Sequence, residues 1–197
     1  MKLIFITGPS GSGKTTISKY ISQYLNNSFI LSTDNYYKTG FISKISSKII
    51  KSYFDKILSH EQNLIKNDID HILKHKSINH FYKYDFKKKA TKKYLKNFSN
   101  IQNLIVEGIF SLELTDLFSE NQYFLISLKE KKSLCRERIS KRDSIERGKN
   151  KILNLYEFNN GWSLYKKKEK IYRSKIIKGI TLKKDLDLDY LLKKLTK

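Results

Sequence analysis

The stretch Gly8 to Thr15, GPSGSGKT, gathers the only proline of the chain and three of its eight glycines. Gly8, Gly13, Lys14 and Thr15 satisfy the spacing G-x-x-x-x-G-K-[ST], a pattern whose backbone N–H groups can surround the phosphates of a nucleotide. Gly11 and Gly13 allow positive φ and close approach of backbone to ligand, and Pro9 stiffens the turn. In such a loop Lys14 bridges the β- and γ-phosphates and the Thr15 hydroxyl is placed to ligate Mg²⁺, with Ser10, Ser12 and Thr16 completing the nucleotide-binding set.

Two carboxylates and a cluster of arginines extend this chemistry. Glu107 ends the apolar run Asn103 to Glu107, NLIVE, where its carboxylate can reach Mg²⁺ or a water bound to it. Asp34, in Leu31 to Tyr37 (LSTDNYY), follows a second apolar run and can act as base toward an acceptor hydroxyl. The plainer alternative for Asp34 is a turn cap. The chain has 35 lysines and only 5 arginines, yet Arg136, Arg138, Arg142 and Arg147 lie within twelve residues. A guanidinium fork grips phosphate in a way a lysine point charge cannot, so the cluster reads as a polyphosphate clamp.

These groups need elements to hold them. Lys2 to Thr7 (KLIFIT) has the character of a buried parallel strand, and Ile17, Ile21 and Leu25 then recur at helical spacing from Lys14 onward. Further strands are expected at Phe29 to Ser32, Asn103 to Glu107 and Tyr123 to Leu128. Helices are expected around Asn63 to Lys74, Lys131 to Ile145 and Tyr156 to Tyr172. Such alternation predicts an α/β fold, a parallel sheet with helices on both faces. The segment of about 35–100, lysine- and aromatic-rich with a hairpin near Asn79 to Phe86, reads as an acceptor-binding insertion. A helical lid is expected over about 131–160, all within one domain of 1–197.

Composition narrows the function classes. The opening apolar run is too short for a signal peptide or a membrane span, and a lone cysteine, Cys135, forms no internal disulfide, so a cytoplasmic protein is expected. The net charge of +21 comes mainly from lysine amid abundant asparagine, isoleucine and tyrosine. That balance fits an AT-rich coding bias better than a nucleic-acid partner, which would favour arginine. A GTPase would carry N-K-x-D, which is absent, and a helicase or large ATPase would be longer with an acidic pair after its strand. His71 and His75 are four apart on a helical pattern, with His80 beyond, and lack a convincing further metal ligand.

Taken together, the motifs resemble the uridine kinase family, within the phosphoribulokinase and uridine kinase group of P-loop kinases. Ile30 to Tyr37 is similar to the family's segment bearing the acceptor-side aspartate, and Tyr53-Phe54-Asp55 to its Asn-Phe-Asp. Tyr84-Asp85-Phe86 matches its Tyr-Asp-Phe, and Val106 to Ile109 resembles its Phe-Glu-Gly-Ile. Arg142-Asp143 and Glu146 to Lys149 resemble the lid's Arg-Asp and Glu-Arg-Gly-Arg. Lys170 to Gly179 is similar to the strand that closes the sheet. The resemblance implies the three-layer P-loop NTPase fold, ATP or GTP as phosphoryl donor, Mg²⁺, a pyrimidine nucleoside acceptor, a place in pyrimidine salvage and a homo-oligomer. It implies catalytic roles for Asp34, Lys14 and Arg142. It also implies nucleotide contacts from Arg138, Arg147 and Lys149, and acceptor contacts from Tyr37, Asp55, Tyr84 and Arg142. The family's base-reading histidine corresponds to a position on or near Lys89, which leaves open a kinase of this fold with another small acceptor; the charge and the aromatics between Phe81 and Tyr94 leave open an RNA-associated P-loop NTPase.

Overall fold

Period-two alternation of apolar side chains builds the centre of the molecule. In β1 (Lys2–Thr7), Leu3 and Phe5 point to one face and Ile4 and Ile6 to the other, all four at most 1% exposed. The same division recurs in β5 (Asn103–Glu107), where Leu104 and Val106 face one way and Ile105 the other. Strands buried on both sides need cover on both sides, which parallel sheets obtain from crossover helices. The computed structural model describes residues 1–40, 57–146, 151–182 and 188–196.

Five strands form a parallel sheet in the order β2-β5-β1-β6-β7, with β2 at Ser28–Ser32, β6 at Phe124–Leu128 and β7 at Ile180–Leu182. On one face, α1 (Lys14–Tyr24) packs Ile21 against Ile4, Ile6, Ile105 and Ile126, joined by Leu191 and Leu195 of α7 (Leu188–Thr196). On the other, α2 (Gln62–His75) inserts Ile65, Ile69 and Ile72 against Leu3, Leu31, Leu104 and Val106. Each fully buried isoleucine contributes about 1.5–3 kcal/mol, so the two layers hold the sheet jointly. Short α3 (Ser111–Leu114) follows β5, and α4 (Lys132–Glu146), α5 (Lys151–Ile171) and α6 (Arg173–Lys178) follow β6. This is the three-layer P-loop fold expected from the sequence. Among the described residues, no helix is long and apolar enough to cross a membrane.

The hairpin is an antiparallel pair, β3 (Ile78–Asp85) with β4 (Ala90–Phe98), separate from the main sheet. One expectation is corrected. Lys170–Gly179 is not the closing strand; it is the end of α5, then α6, and β7 begins only at Ile180. Ile176 alone of its apolar residues is well buried, while Ile171 and Ile177 are 75% and 69% exposed, a helical rather than a strand pattern. The chain joins the sheet after Gly179, so close to β6 that a Cβ there would lie 2.5 Å from the Leu125 carbonyl oxygen.

The carboxyl ends of β2 and β5 meet where Gly108, at φ +148°, passes Thr33. A Cβ on residue 108 would lie 1.8 Å from Thr33 Oγ1. Gly108→Ala is therefore expected to cost about 2–4 kcal/mol through overpacking and backbone strain, read as a lower Tm. Adding Thr33→Ala should recover part of that loss, and an additive double variant would refute the clash.

Candidate active site

The phosphate loop leaves β1 at Thr7 and enters α1 at Lys14, with Gly13 in the left-handed region as the residue before the helix. No acidic residue occupies the first turn of α1, so its free N–H groups and dipole offer a positive end. Gly8, Pro9 and Ser12 are buried, Ser10 is half-buried, and Thr15 and Thr16 are exposed at the helix start. Gly11, at φ +80°, runs against α4 so closely that a Cβ would lie 2.5 Å from the Cys135 carbonyl oxygen. Lys14 folds across the loop and its Nζ donates to the carbonyl oxygens of Gly8 at 3.0 Å and Pro9 at 3.1 Å. Burial pushes the Lys14 pKa down; the negative charges of Glu107 and Asp34 oppose that, and the Arg142 guanidinium adds to it.

Strand register sets the acidic side of the site. Glu107 pairs with Ile6 of β1 and Ser32 of β2, so all three strand ends converge on its carboxylate. Glu107 is 4% exposed. Its pKa is pushed above the ordinary 4.5, first by burial and then by the Asp34 carboxylate, against the Ser32 and Thr15 hydroxyls and the Lys14 ammonium. Asp34 lies in the short 3₁₀ turn Thr33–Asn35, and its Oδ1 is buried with no hydrogen-bonding partner among the described residues.

From the other side, α4 supplies guanidinium groups. Arg138 Nη1 donates to the Gly11 carbonyl oxygen at 3.2 Å and lies 3.4 Å from Glu130. Arg142, one helical turn on, donates from Nε at 3.0 Å and Nη2 at 2.9 Å to Oδ1 of buried Asp143. Asp143 thus fixes the guanidinium close enough to the loop to act on Lys14. Arg136 points to solvent. Cys135 and Ile139 of α4 pack on Phe158 and Trp162 of α5, joining the two helices. Arg147 and Lys149 lie outside the described residues.

The structure also assembles an aromatic row absent from the sequence reading. Phe86, Tyr84, Tyr37, His60 and Phe110 follow one another with ring centroids 4.9, 4.7, 4.0 and 4.1 Å apart. The Tyr84 N–H donates to Asn35 Oδ1 at 3.2 Å, and Thr91 Oγ1 to the Tyr37 carbonyl oxygen at 3.1 Å, so the hairpin is fastened to the turn bearing Asp34. Lys168 of α5 stands 4.4 Å above the Phe110 ring and pairs with Glu113. Sequence reasoning missed His60, Phe110 and Lys168; no local spacing links them, and only the fold brings them together. Lys89 is exposed in the hairpin turn at φ +50°. Asp55 lies outside the described residues. His71 and His75 stack on the exposed side of α2, whereas His80 is on β3 and reaches Asp68 at 3.2 Å.

A family model described as "AAA domain" matches residues 4–160. The chain belongs to that family. This AAA domain is also similar to uridine kinases: 33% identical over 109 residues to that of Borrelia turicatae (strain 91E135), covering 55% of this chain and 52% of the relative. It is 31% identical over 111 residues to that of Leuconostoc citreum (strain KM20), covering 54% and 52%. The chain thus spans about half the length of the curated relatives it matches. Among solved structures, a Silicibacter sp. TM1040 protein provisionally assigned as a fructose transport system kinase superposes with TM-score 0.60 at 16% identity, over 79% of this chain and 78% of that one. A Bacillus stearothermophilus protein provisionally assigned as a uridine kinase does so with TM-score 0.54 at 16% identity, over 74% and 83%. These likenesses establish a shared fold.

The raised Glu107 pKa carries a sign that melting can read. A carboxyl that binds its proton more tightly when folded contributes stability fully below about 4.5, and that contribution is lost as pH rises through the raised value. Glu107→Gln has nothing to titrate at this position. The Tm of the variant minus that of the parent is therefore expected to grow as pH rises from 4.5 toward neutrality, and a constant difference would contradict the buried carboxylate.

Proposed function

We propose that this protein is a P-loop kinase that transfers the γ-phosphoryl group of ATP or GTP to the 5′-hydroxyl of a pyrimidine nucleoside. One observation carries the reading: the Asp34 carboxylate sits beside Lys14 and Glu107 at the carboxyl edge of the sheet, where ligands of open α/β folds collect, with an oxygen that none of the described residues engages. In this account Asp34 accepts the proton of the acceptor hydroxyl and orients its oxygen toward the phosphorus. Lys14, the loop N–H groups, Arg138 and Arg142 hold the charge that spreads over the transferred group, and closure of α4 and α5 excludes water. Similarity to uridine kinases supports the acceptor class, and Tyr37 and Tyr84 supply rings against which a base can stack.

The residues present also fit Mg²⁺. Glu107 and Asp34 are like charges forced together in a buried place, a repulsion a divalent cation would relieve, and the Thr15 hydroxyl adjoins them. Glu107 and Thr15 would hold the ion, which when bound supplies charge neutralisation between donor phosphates. A second reading, a kinase of this fold with another small acceptor, is favoured by the exposed position of Lys89 and by Lys168 above Phe110.

Incubation of the protein with Mg-ATP and a panel of nucleosides and sugar phosphates, with products identified by mass, separates the two readings. Uridine or cytidine monophosphate is expected, and phosphorylation of another acceptor alone would establish the second. Asp34→Asn is expected to bind ATP nearly as tightly as the parent while turnover falls by about two to four decades. A variant of normal rate would remove Asp34 from the chemistry.

A further inference from the structure

The two faces of the β3–β4 hairpin have different fates. Tyr82, Tyr84 and His80 face inward, against Tyr36, Tyr37 and Asp68 respectively. The opposite face follows from the register that sets Phe81 across from Tyr94 and Lys83 across from Lys92. Phe81 and Tyr94 stack with centroids 5.2 Å apart and planes 12° from parallel, and Tyr94 is 37% exposed. Lys83 stands 5.8 Å from both ring centroids, Lys92 is 5.2 Å from Tyr94, and Lys96 is 5.2 Å from Phe98. All three lysines are exposed.

Charge on the hairpin is one-sided. Residues 78–98 hold seven lysines and one acid, Asp85. The Asp85 carboxylate accepts the N–H groups of Lys87 and Lys88, each at 2.9 Å, which hold its pKa below the usual carboxylate range and commit it to the turn. No other carboxylate of the hairpin is available to pair the lysines beside the rings. Ammonium groups around an aromatic pair, with Phe81 half-buried against the core and Tyr94 exposed, are the elements of a site that takes phosphates and unstacked bases together. A duplex offers the phosphates but keeps its bases stacked inside, so it could use only half of this surface.

We propose that the outer face of this hairpin docks single-stranded nucleic acid, bases stacking on the Phe81–Tyr94 pair and phosphates meeting Lys83, Lys92 and Lys96. The surface lies outside the phosphate loop and the aromatic row, so it goes beyond the kinase reading and stands or falls separately from it. Net charge alone would give binding to any polyanion; the rings add a component that depends on bases.

The test is fluorescence anisotropy of the full chain with a short labelled oligouridine, an oligothymidine, a duplex of equal length, and heparin as a polyanion without bases, over a salt series. Tyr94→Ala is expected to weaken binding to both single strands by at least about fivefold and to leave heparin unaffected, while Tyr94→Phe retains binding. Lys83→Gln/Lys92→Gln/Lys96→Gln should lower the slope of log K against log salt by about two. Lys19→Gln/Lys193→Gln/Lys194→Gln, which removes the same charge from the opposite side of the sheet, should lower it less. Unchanged melting of each variant confirms that the fold is intact. Equal binding of duplex and single strand, equal effects of the two triple variants, or a Tyr94→Ala variant that binds oligouridine like the parent would each overturn the proposal.

Discussion

Three strands of the sheet end at one point, and the charges buried there constrain everything around them. Lys14 is disfavoured as a cation by burial and Glu107 as an anion, and each eases the burden of the other. Buried pairs of this kind add little net stability, because desolvation consumes most of the Coulombic gain. Their retention beside a phosphate loop is better explained by a ligand that brings both phosphate and cation. The backbone follows from that constraint. Without a side chain, Gly108 lets Thr33 and Asp34 close over Glu107, and Gly11 lets α4 close over the loop.

Helix α4 is tied to this centre by two arginines. Arg138 and Arg142 lie one turn apart, one gripping the loop carbonyl of Gly11 and the other held by Asp143. Gly11 and Asp143 thus hold two guanidinium groups in place, and groups held in this way need less ordering when an anion binds. An aromatic row runs from the hairpin to Phe110 and ends beneath Lys168 of α5. The row therefore links the hairpin to the segments that follow β2 and β5 and to α5.

The hairpin is joined to the domain by two kinds of contact. Near its turn, Tyr84 and Thr91 bond to the segment that follows β2. At its base, Asp68 of α2 accepts the Tyr36 hydroxyl at 2.8 Å and lies 3.2 Å from His80. With one carboxylate oxygen bonded to Tyr36 and the other near His80, Asp68 links α2, the turn of Asp34 and β3, and burial with this carboxylate pushes the Tyr36 hydroxyl pKa far up. One face of the hairpin is consumed by this anchoring; on the other, Phe81 and Phe98 pack partly on the core while Tyr94 and the lysines stay exposed.

Much of the framework was legible in the sequence because its signals are local. The NLIVE run predicted β5 at its observed bounds, β1 likewise, and the glycine pattern located the turn into α1. A glycine loop, an alternating strand and an amphipathic helix each declare themselves within a dozen residues. Lys170–Gly179 misled because a short apolar cluster has no unique period; its helical burial is set by packing against the sheet. The nearness of Asp34 to Glu107 and Lys14 was anticipated in outline, since strand ends of a parallel sheet share one edge. His60, Phe110 and Lys168 could not be found that way: they lie on three separate segments, and no spacing rule relates them. The sequence by itself determined which residues could hold phosphate and where strands and helices begin. Only the tertiary structure decided which rings and charges share a site, because contacts across long chain separations depend on strand order and helix packing.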